Sequence, residues 1–182
     1  MLKLFMETLN KVGGRFAEVA TVQEAADYIA RQVTGAVLLP SQASLERAGL
    51  APALEAAGVE VVTDAWREHA PSASAGVTGA NFALADTGSL VLESTAESIR
   101  LATTLPEKHF ALLDPRKIVA DSLAAVPYLR GFHERAPRNY LAYITGPSRT
   151  ADIERVLTIG VHGPRELHVL LLAGLSDDYY EL

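Results

Sequence analysis

Apolar residues alternate with small or polar ones in the segment GVTGANFALADTGSLVLES, which spans residues 76–94. The large apolar side chains occur at every second position on both sides of a polar cluster, at Phe82, Leu84, Leu90 and Leu92. This period is typical of half-buried strands. The cluster Asp86-Thr87-Gly88-Ser89 favours a tight reversal, because Gly88 can adopt a positive φ and Asp86 can accept hydrogen bonds from turn amides. We therefore predict a β-hairpin whose tip carries Asp86, Thr87 and Ser89.

Short apolar runs alternate with segments of helical spacing along the rest of the chain. The runs predict strands over residues 35–40, 59–62, 108–113, 140–145 and 167–172. Helices are predicted from the capping box at Thr21 to about residue 32, from a cap at Ser41 or Ser44 to about residue 57, and over 119–131. Residues 70–75 are predicted to form a loop. This alternation predicts an α/β fold, a mostly parallel sheet with helices on both faces and a β-hairpin.

The chain ends are predicted to differ in character from the middle. Leu2, Phe5, Met6 and Leu9 fall on one helical face, so residues 1–15 are predicted to form an amphipathic N-terminal helical extension. The acidic tail from Ser176 is expected to be mobile. With no internal repeat and no linker composition, residues 1–182 are predicted to form a single domain.

Composition narrows the classes of function. The 182 residues include no cysteine, which excludes disulfides, thiolate metal sites and thiol catalysis. The formal net charge of −6 argues against nucleic-acid binding, which needs a cationic surface. No secretory leader and no membrane-spanning run are recognised. A cytoplasmic location is the expectation.

The stretch YITGPSRTADIE, residues 143–154, has the clearest link to chemistry. A strand is predicted to end at Gly146, where backbone can approach a ligand closely. Ser148 or Thr150 could cap a helix whose amides favour an anion, and Arg149 could add a fork of donors. The alternative is that the hydroxyls only cap a helix and that Arg149 is only solvated.

Ligands of parallel sheets bind beyond the carboxyl ends of the strands. We therefore expect the turns at 86–89 and 146–150 to meet at one rim and to bind a small carboxylate or phosphate. The alternative is a purely structural role, in which Asp86, Thr87 and Ser89 only close a turn.

The five histidines suggest no metal site, because none stands at ligand spacing from carboxylates. Neither a GxGxxG helix start nor a GxxxxGK[ST] loop is present, so no nucleotide cofactor is predicted. His162 lies between two glycines and is a candidate ligand or acid–base group, with a structural role as the alternative. His109 and His168 are predicted to be core or edge residues.

Four blocks occur in order: GVTGANFALADTGSLVL, TLPEKHFALL, YITGPSRTADIE and GVHGPRELHVLLL. Together they resemble the LUD-domain family over residues 76–172. The resemblance implies the fold of the sugar-phosphate isomerase and coenzyme A transferase group (NagB/RpiA/CoA transferase-like). It also implies a role in converting L-lactate to pyruvate, with an iron–sulfur protein and a cysteine-rich protein as partners. Since this chain has no cysteine, electron transfer would then belong to the partners.

Two functions compete at this point. In the first, the protein is a non-redox subunit of a lactate-oxidising system that binds a small anionic ligand and its partner proteins. In the second, it is a stand-alone enzyme acting on a phosphorylated or coenzyme A-linked small molecule. The sequence leaves open whether the protein is catalytic, because fold analogy does not identify a reaction.

Overall fold

The computed structural model describes residues 1–136, 138–151 and 158–181. The described helices are α1 (Leu2–Lys11), α2 (Val22–Ala30), α3 (Ala43–Ala48), α4 (Leu50–Ala56), α5 (Trp66–His69), α6 (Glu97–Thr104) and α7 (Ser122–Arg135). The described strands are β1 (Arg15–Val19), β2 (Val37–Leu38), β3 (Val61–Val62), β4 (Ala75–Gly79), β5 (Phe82–Leu84), β6 (Ser89–Glu93), β7 (Lys108–Leu113), β8 (Ile118–Val119), β9 (Leu141–Ile144), β10 (Arg149–Thr150), β11 (Thr158–Ile159) and β12 (Glu166–Leu172). Among these helices, none combines the length and the apolarity needed to cross a bilayer.

A six-stranded parallel sheet forms the centre, in the order β1-β12-β7-β4-β2-β3. Its inner strands are apolar on both faces because both faces are covered. One face packs against α2, α3 and α4, with Ile29 and Leu54 fully buried. The other face packs against α1, through Phe5 and Leu9, and against the second sheet. The predicted parallel sheet with helices on both faces is confirmed.

The second sheet is built on the predicted hairpin and has the order β8-β5-β6-β9. Strands β5 and β6 are antiparallel, with Leu84 opposite Ser89 across the tip. Phe82 and Val91 of this sheet pack against α7, where Phe132 is buried. The hairpin prediction is therefore confirmed.

The start of the hairpin segment forms strand β4, inside the parallel sheet, a strand that the sequence did not predict. Helix α6 crosses this strand so closely that a Cβ on Gly76 would lie 1.8 Å from the carbonyl oxygen of Ala102. Only a residue without a side chain fits there. The sequence AGVTG is too poor in large apolar residues to have predicted a central strand.

Several boundaries differ from the prediction for local reasons. The helix predicted up to residue 57 is two helices, because Gly49 adopts the left-handed conformation with φ 75°. Its N-cap is Gln42, so the predicted cap at Ser41 or Ser44 is wrong. The N-terminal helix ends at Lys11, and Arg15 begins an edge strand that the pattern did not predict.

The C-terminal tail, residues 176–181, packs against the rest of the chain through contacts that the sequence did not predict. The Tyr179 ring stacks on Tyr128 with centroids 3.9 Å apart. The guanidinium of Arg135 lies 3.8 Å from the ring centroid of Tyr180. Aromatic stacking supplies the burial that an acidic sequence alone does not predict.

The predicted capping box at α2 is present and gives a first testable prediction. Thr21 Oγ1 accepts a hydrogen bond from the Glu24 amide at 3.1 Å, and Glu24 Oε2 accepts one from the Ala20 amide at 2.8 Å. We expect Thr21→Ala to lower the free energy of unfolding by about 1 kcal/mol in urea titrations. Thr21→Ser keeps the acceptor and should retain most of the stability. Equal losses in the two variants would contradict the capping role.

Candidate functional site

A cavity of about 380 Å³ opens where the loop after β9 meets the parallel sheet. We call it the histidine cavity. Its lining comes from the end of α6, the starts of β7 and β12, and two loops, and comprises Thr103, Thr104, His109, Tyr143, Ile144, Thr145, Gly146, Pro147, Ser148, His162, Gly163, Pro164 and Leu167. His109 and Leu167 are the second residues of their strands, so the cavity lies at the amino edge of the sheet. The expected carboxyl edge is wrong for this loop, because β9 belongs to the second sheet.

His109 is the most unusual residue of this cavity. Its side chain is only 1% exposed, and its Nε2 lies 2.8 Å from Thr78 Oγ1. Its Nδ1 has no hydrogen-bond partner within the described part of the chain. Burial lowers the pKa of His109 to about 4, so the ring is neutral at pH 7. A buried nitrogen without a partner is unfavourable, and a ligand group in the cavity could pair with it.

The burial of His109 confirms the prediction that it is a core or edge residue. The prediction did not place this residue beside a cavity. The segment KHFALL is typical of a buried strand, and nothing in its pattern indicates that the loop after β9 leaves a space next to it.

Two threonines in the lining were also missed, because the sequence does not show that the end of α6 borders a cavity. Thr103 and Thr104 donate their hydroxyl protons to carbonyls of α6, at 3.0 Å to Ile99 and 2.6 Å to Arg100, so their oxygens can only accept from a ligand.

Three of the predicted site residues line the cavity: Gly146, Ser148 and His162. Two backbone hydrogen bonds of 2.8 Å hold their loops together, from the Ser148 amide to Pro164 and from the Gly160 amide to Ser148. Of the two histidines in the lining, His162 is exposed and His109 is buried. Burial raises the pKa of Tyr143, which keeps this phenol a neutral donor.

The hairpin tip meets the loop after β9, as the sequence predicts, but does not line the cavity. Ser89 Oγ lies 2.8 Å from Thr87 Oγ1 and 2.7 Å from Thr145 Oγ1. Gly88 has φ 65° and packs on α1, where an added Cβ would lie 2.5 Å from the Leu9 nitrogen. Asp86 and Thr87 are exposed. The tip therefore supports α1 and the loop rather than facing the cavity.

Arg149 and Thr150 form strand β10, which pairs with β11. Arg149 Nη2 donates to the carbonyl of Val12, at the end of α1, and so stabilises that helix end. Because a strand follows Ser148, its predicted role as a helix cap is wrong. The residues that would follow a cap at Thr150, from 152 to 157, lie outside the described residues.

Within the ranges that the structure describes, no group of three or more histidine, aspartate or glutamate side chains could hold a metal ion.

The parallel sheet, the hairpin sheet docked on one of its faces and the cavity between them define an α/β protein of one recognisable class. The chain belongs to the LUD domain family, whose model matches residues 2–172. The fold is shared with a DUF162 family protein from Deinococcus radiodurans, with a TM-score of 0.66 and 21% identity over 94% of this chain and 96% of that one.

Three relatives have a higher sequence identity to this chain than that solved structure has. The chain is 36% identical over 141 residues to an uncharacterized protein of Neisseria meningitidis, covering 75% of this chain and 60% of that protein. It is 34% identical to lactate utilization protein C of Anoxybacillus flavithermus, covering 75% of this chain and 62% of the relative. For lactate utilization protein C of Bacillus subtilis the identity is 28%, covering 81% and 66%. The chain thus matches less than two thirds of the length of the first two relatives.

Proposed function

We propose that this protein serves lactate utilization as a non-redox subunit that binds a small anionic ligand beside an iron–sulfur protein and a cysteine-rich protein. The names of its relatives, lactate utilization protein C, support the process. Its sequence supports the non-redox role, because 182 residues without cysteine offer no thiolate to an iron–sulfur cluster. The partners follow from the family resemblance.

The ligand site we propose is the histidine cavity. The observation that carries this proposal is the buried, unpartnered Nδ1 of His109. Among the described residues, the lining has no carboxylate, so a bound carboxylate meets no like charge from them. Its side-chain donors include the imidazoles and the Tyr143 phenol, whereas the hydroxyls of Thr103 and Thr104 can only accept. The described part of the lining also has no lysine or arginine, so the binding that we propose there uses hydrogen bonds from side chains other than these cations. We therefore expect modest affinity and a weak dependence on salt.

Replacing His109 tests the ligand site. We expect L-lactate or pyruvate to bind the parent protein, and His109→Phe to weaken that binding about tenfold, which corresponds to about 1.4 kcal/mol. Phenylalanine keeps a flat ring but removes the nitrogen that would pair with the ligand. Isothermal titration calorimetry measures the affinity, and a thermal melt checks that the variant is folded.

His69→Phe is the matched control, because His69 is exposed and does not line the cavity. It should bind as the parent does. Failure of the parent to bind either acid, or equal binding by His109→Phe, would refute the cavity as the ligand site.

The subunit role needs a separate experiment. The tagged protein, purified without oxygen from the bacterium that makes it, is expected to bring down an iron–sulfur protein and a cysteine-rich protein. A clean deletion should abolish growth on L-lactate. Normal growth of the deletion strain, together with a protein that purifies alone, would contradict the proposal.

The alternative of a stand-alone enzyme acting on a phosphorylated or coenzyme A-linked molecule has less support. It is motivated by the fold and by the loop at residues 146–150, but the guanidinium of Arg149 in this loop donates to the carbonyl of Val12. Protection against melting by phosphates or acyl-coenzyme A, but not by lactate, would restore it.

A further inference from the structure

The carboxyl edge of the parallel sheet, opposite the histidine cavity, is covered by the C-terminal tail. Asp114 follows β7, and its Oδ2 accepts hydrogen bonds from the amides of Gly174, at 2.8 Å, and Ser176, at 3.3 Å, which follow β12. The side-chain amide of Asn81, which follows β4, donates to the carbonyl of Tyr179 at 3.0 Å. The tail therefore lies across the edge where parallel sheets commonly bind ligands.

The carboxylate of Glu181 occupies a recognition site on this edge. Arg47 donates from Nη1 to Oε1 at 2.6 Å and from Nη2 to Oε2 at 2.7 Å. Ser176 Oγ donates to Oε2 at 2.6 Å. Two parallel bonds from one guanidinium are the geometry that selects a carboxylate. These hydrogen bonds, from Arg47 first, lower the pKa of Glu181 to about 2, so this carboxylate is ionised at neutral pH.

A second cavity is lined in part by Arg47. It has a volume of about 240 Å³ and is lined by Arg47, by the start of α2 and by the residues that end β12. The ion pair between Arg67 and Glu97, also at the surface, differs from the pair between Arg47 and Glu181. Arg67 reaches only one oxygen of Glu97, and the pair has no third donor among the described residues.

Two buried side chains at this edge have donor capacity that the fold does not use fully. Lys117 is 1% exposed, and its Nζ has one long contact, 3.3 Å to the carbonyl of Asp178 in the tail. Gln42 is 2% exposed, and its Nε2 has no partner within the described ranges. The positive charge of Lys117 also favours the ionised form of Glu181. The charge of Lys117 therefore adds to that of Arg47 at the Glu181 carboxylate, which favours an anion there.

We propose that Arg47 belongs to a carboxylate-binding site at the carboxyl edge, which Glu181 of the tail fills in this structure. A small carboxylic acid in solution then competes with the tail for the same fork. This site is separate from the histidine cavity, and it does not depend on the function proposed above. The tail acts as a tethered competitor, because a short tether holds its carboxylate at an effective concentration in the millimolar range.

Removing the competitor tests the proposal with succinate as the probe. We expect Glu181→Gln to bind succinate at least about tenfold more tightly than the parent, as measured by isothermal titration calorimetry, which can be applied to every variant. Adding Arg47→Gln to this variant should abolish the gain. Glu97→Gln is the matched control, because it frees Arg67 from an exposed pair that has no cavity beside it.

The site is refuted if Glu181→Gln binds succinate no more tightly than the parent, if the gain survives Arg47→Gln, or if Glu97→Gln produces an equal gain. Combining Glu181→Gln with His109→Phe separates the two proposals. The gain should persist in this double variant. Its loss would assign the succinate to the histidine cavity and overturn the carboxyl-edge site while leaving the proposed function intact.

Discussion

Gly76→Ala is expected to lower the free energy of unfolding by about 3 kcal/mol or more. The added methyl would lie 1.8 Å from the Ala102 carbonyl oxygen and 2.5 Å from its carbon, and both atoms are backbone. No side-chain rotation can relieve such a contact, so α6 must move away from β4. The displacement would open the packing around Ala102, which is fully buried. Urea unfolding followed by circular dichroism measures the loss.

Gly79→Ala is the matched control, because Gly79 lies in the same strand but has room. Its added Cβ would meet Ser44 Oγ at 3.6 Å, an ordinary contact. We expect a change within about 1 kcal/mol. Similar effects of the two substitutions would show that glycine is needed in β4 for a reason other than the crossing of α6.

Asp114→Asn is expected to lower the free energy of unfolding by about 3 kcal/mol. The Asp114 carboxylate is fully buried and accepts hydrogen bonds from the Arg116 side chain at 2.9 and 3.0 Å, and from the Gly174 amide at 2.8 Å. An asparagine would lose the charge and would direct two of its own donors toward other donors. Chemical denaturation at pH 7 measures the effect.

The same carboxylate gives a pH dependence. Burial raises the pKa of Asp114, but the hydrogen bonds and charge of Arg116 outweigh it and hold the pKa below its usual range. The stabilisation is therefore complete above the unfolded value of about 3.9 and is lost as the pH falls through the folded pKa. We expect a fall in pH to lower the free energy of unfolding of the parent more than that of Asp114→Asn.

Asp177→Asn is the control, because it alters an ion pair with Arg116 that is largely exposed. It should change the free energy of unfolding by less than about 1 kcal/mol.

The sequence predicted those parts of the fold in which burial follows a regular pattern over several successive residues. The strand LHVLLL and the alternation on both sides of Gly88 report burial directly, and both are confirmed. Strand β4 was missed because its fit depends on the backbone of α6, a contact between residues 26 positions apart. A local pattern carries no information about such a crossing.

The residues of the candidate site also divide into those that a local pattern predicts and those that depend on distant contacts. The loop residues Gly146, Ser148 and His162 were identified by their types and by their positions next to turns, and they line one cavity. Arg149 was expected to face a ligand, but its partner is a carbonyl of the N-terminal helix, which the sequence does not place nearby. His109 was missed as a cavity residue because a histidine inside an apolar strand looks the same whether or not a space lies beside it.

The order of strands in the central sheet bears on how the chain folds as it is made. Strand β12 lies between β1 and β7, so the last strand along the sequence joins two parts that were synthesised much earlier. Until residues 166–172 leave the ribosome, β1 has no neighbour in the sheet and one side of β7 is unpaired. Closure of this gap pairs residues about 150 positions apart, a non-local step that slows folding and leaves strand edges open to aggregation in the meantime. The core is thus completed only when residues 166–172 have joined the sheet.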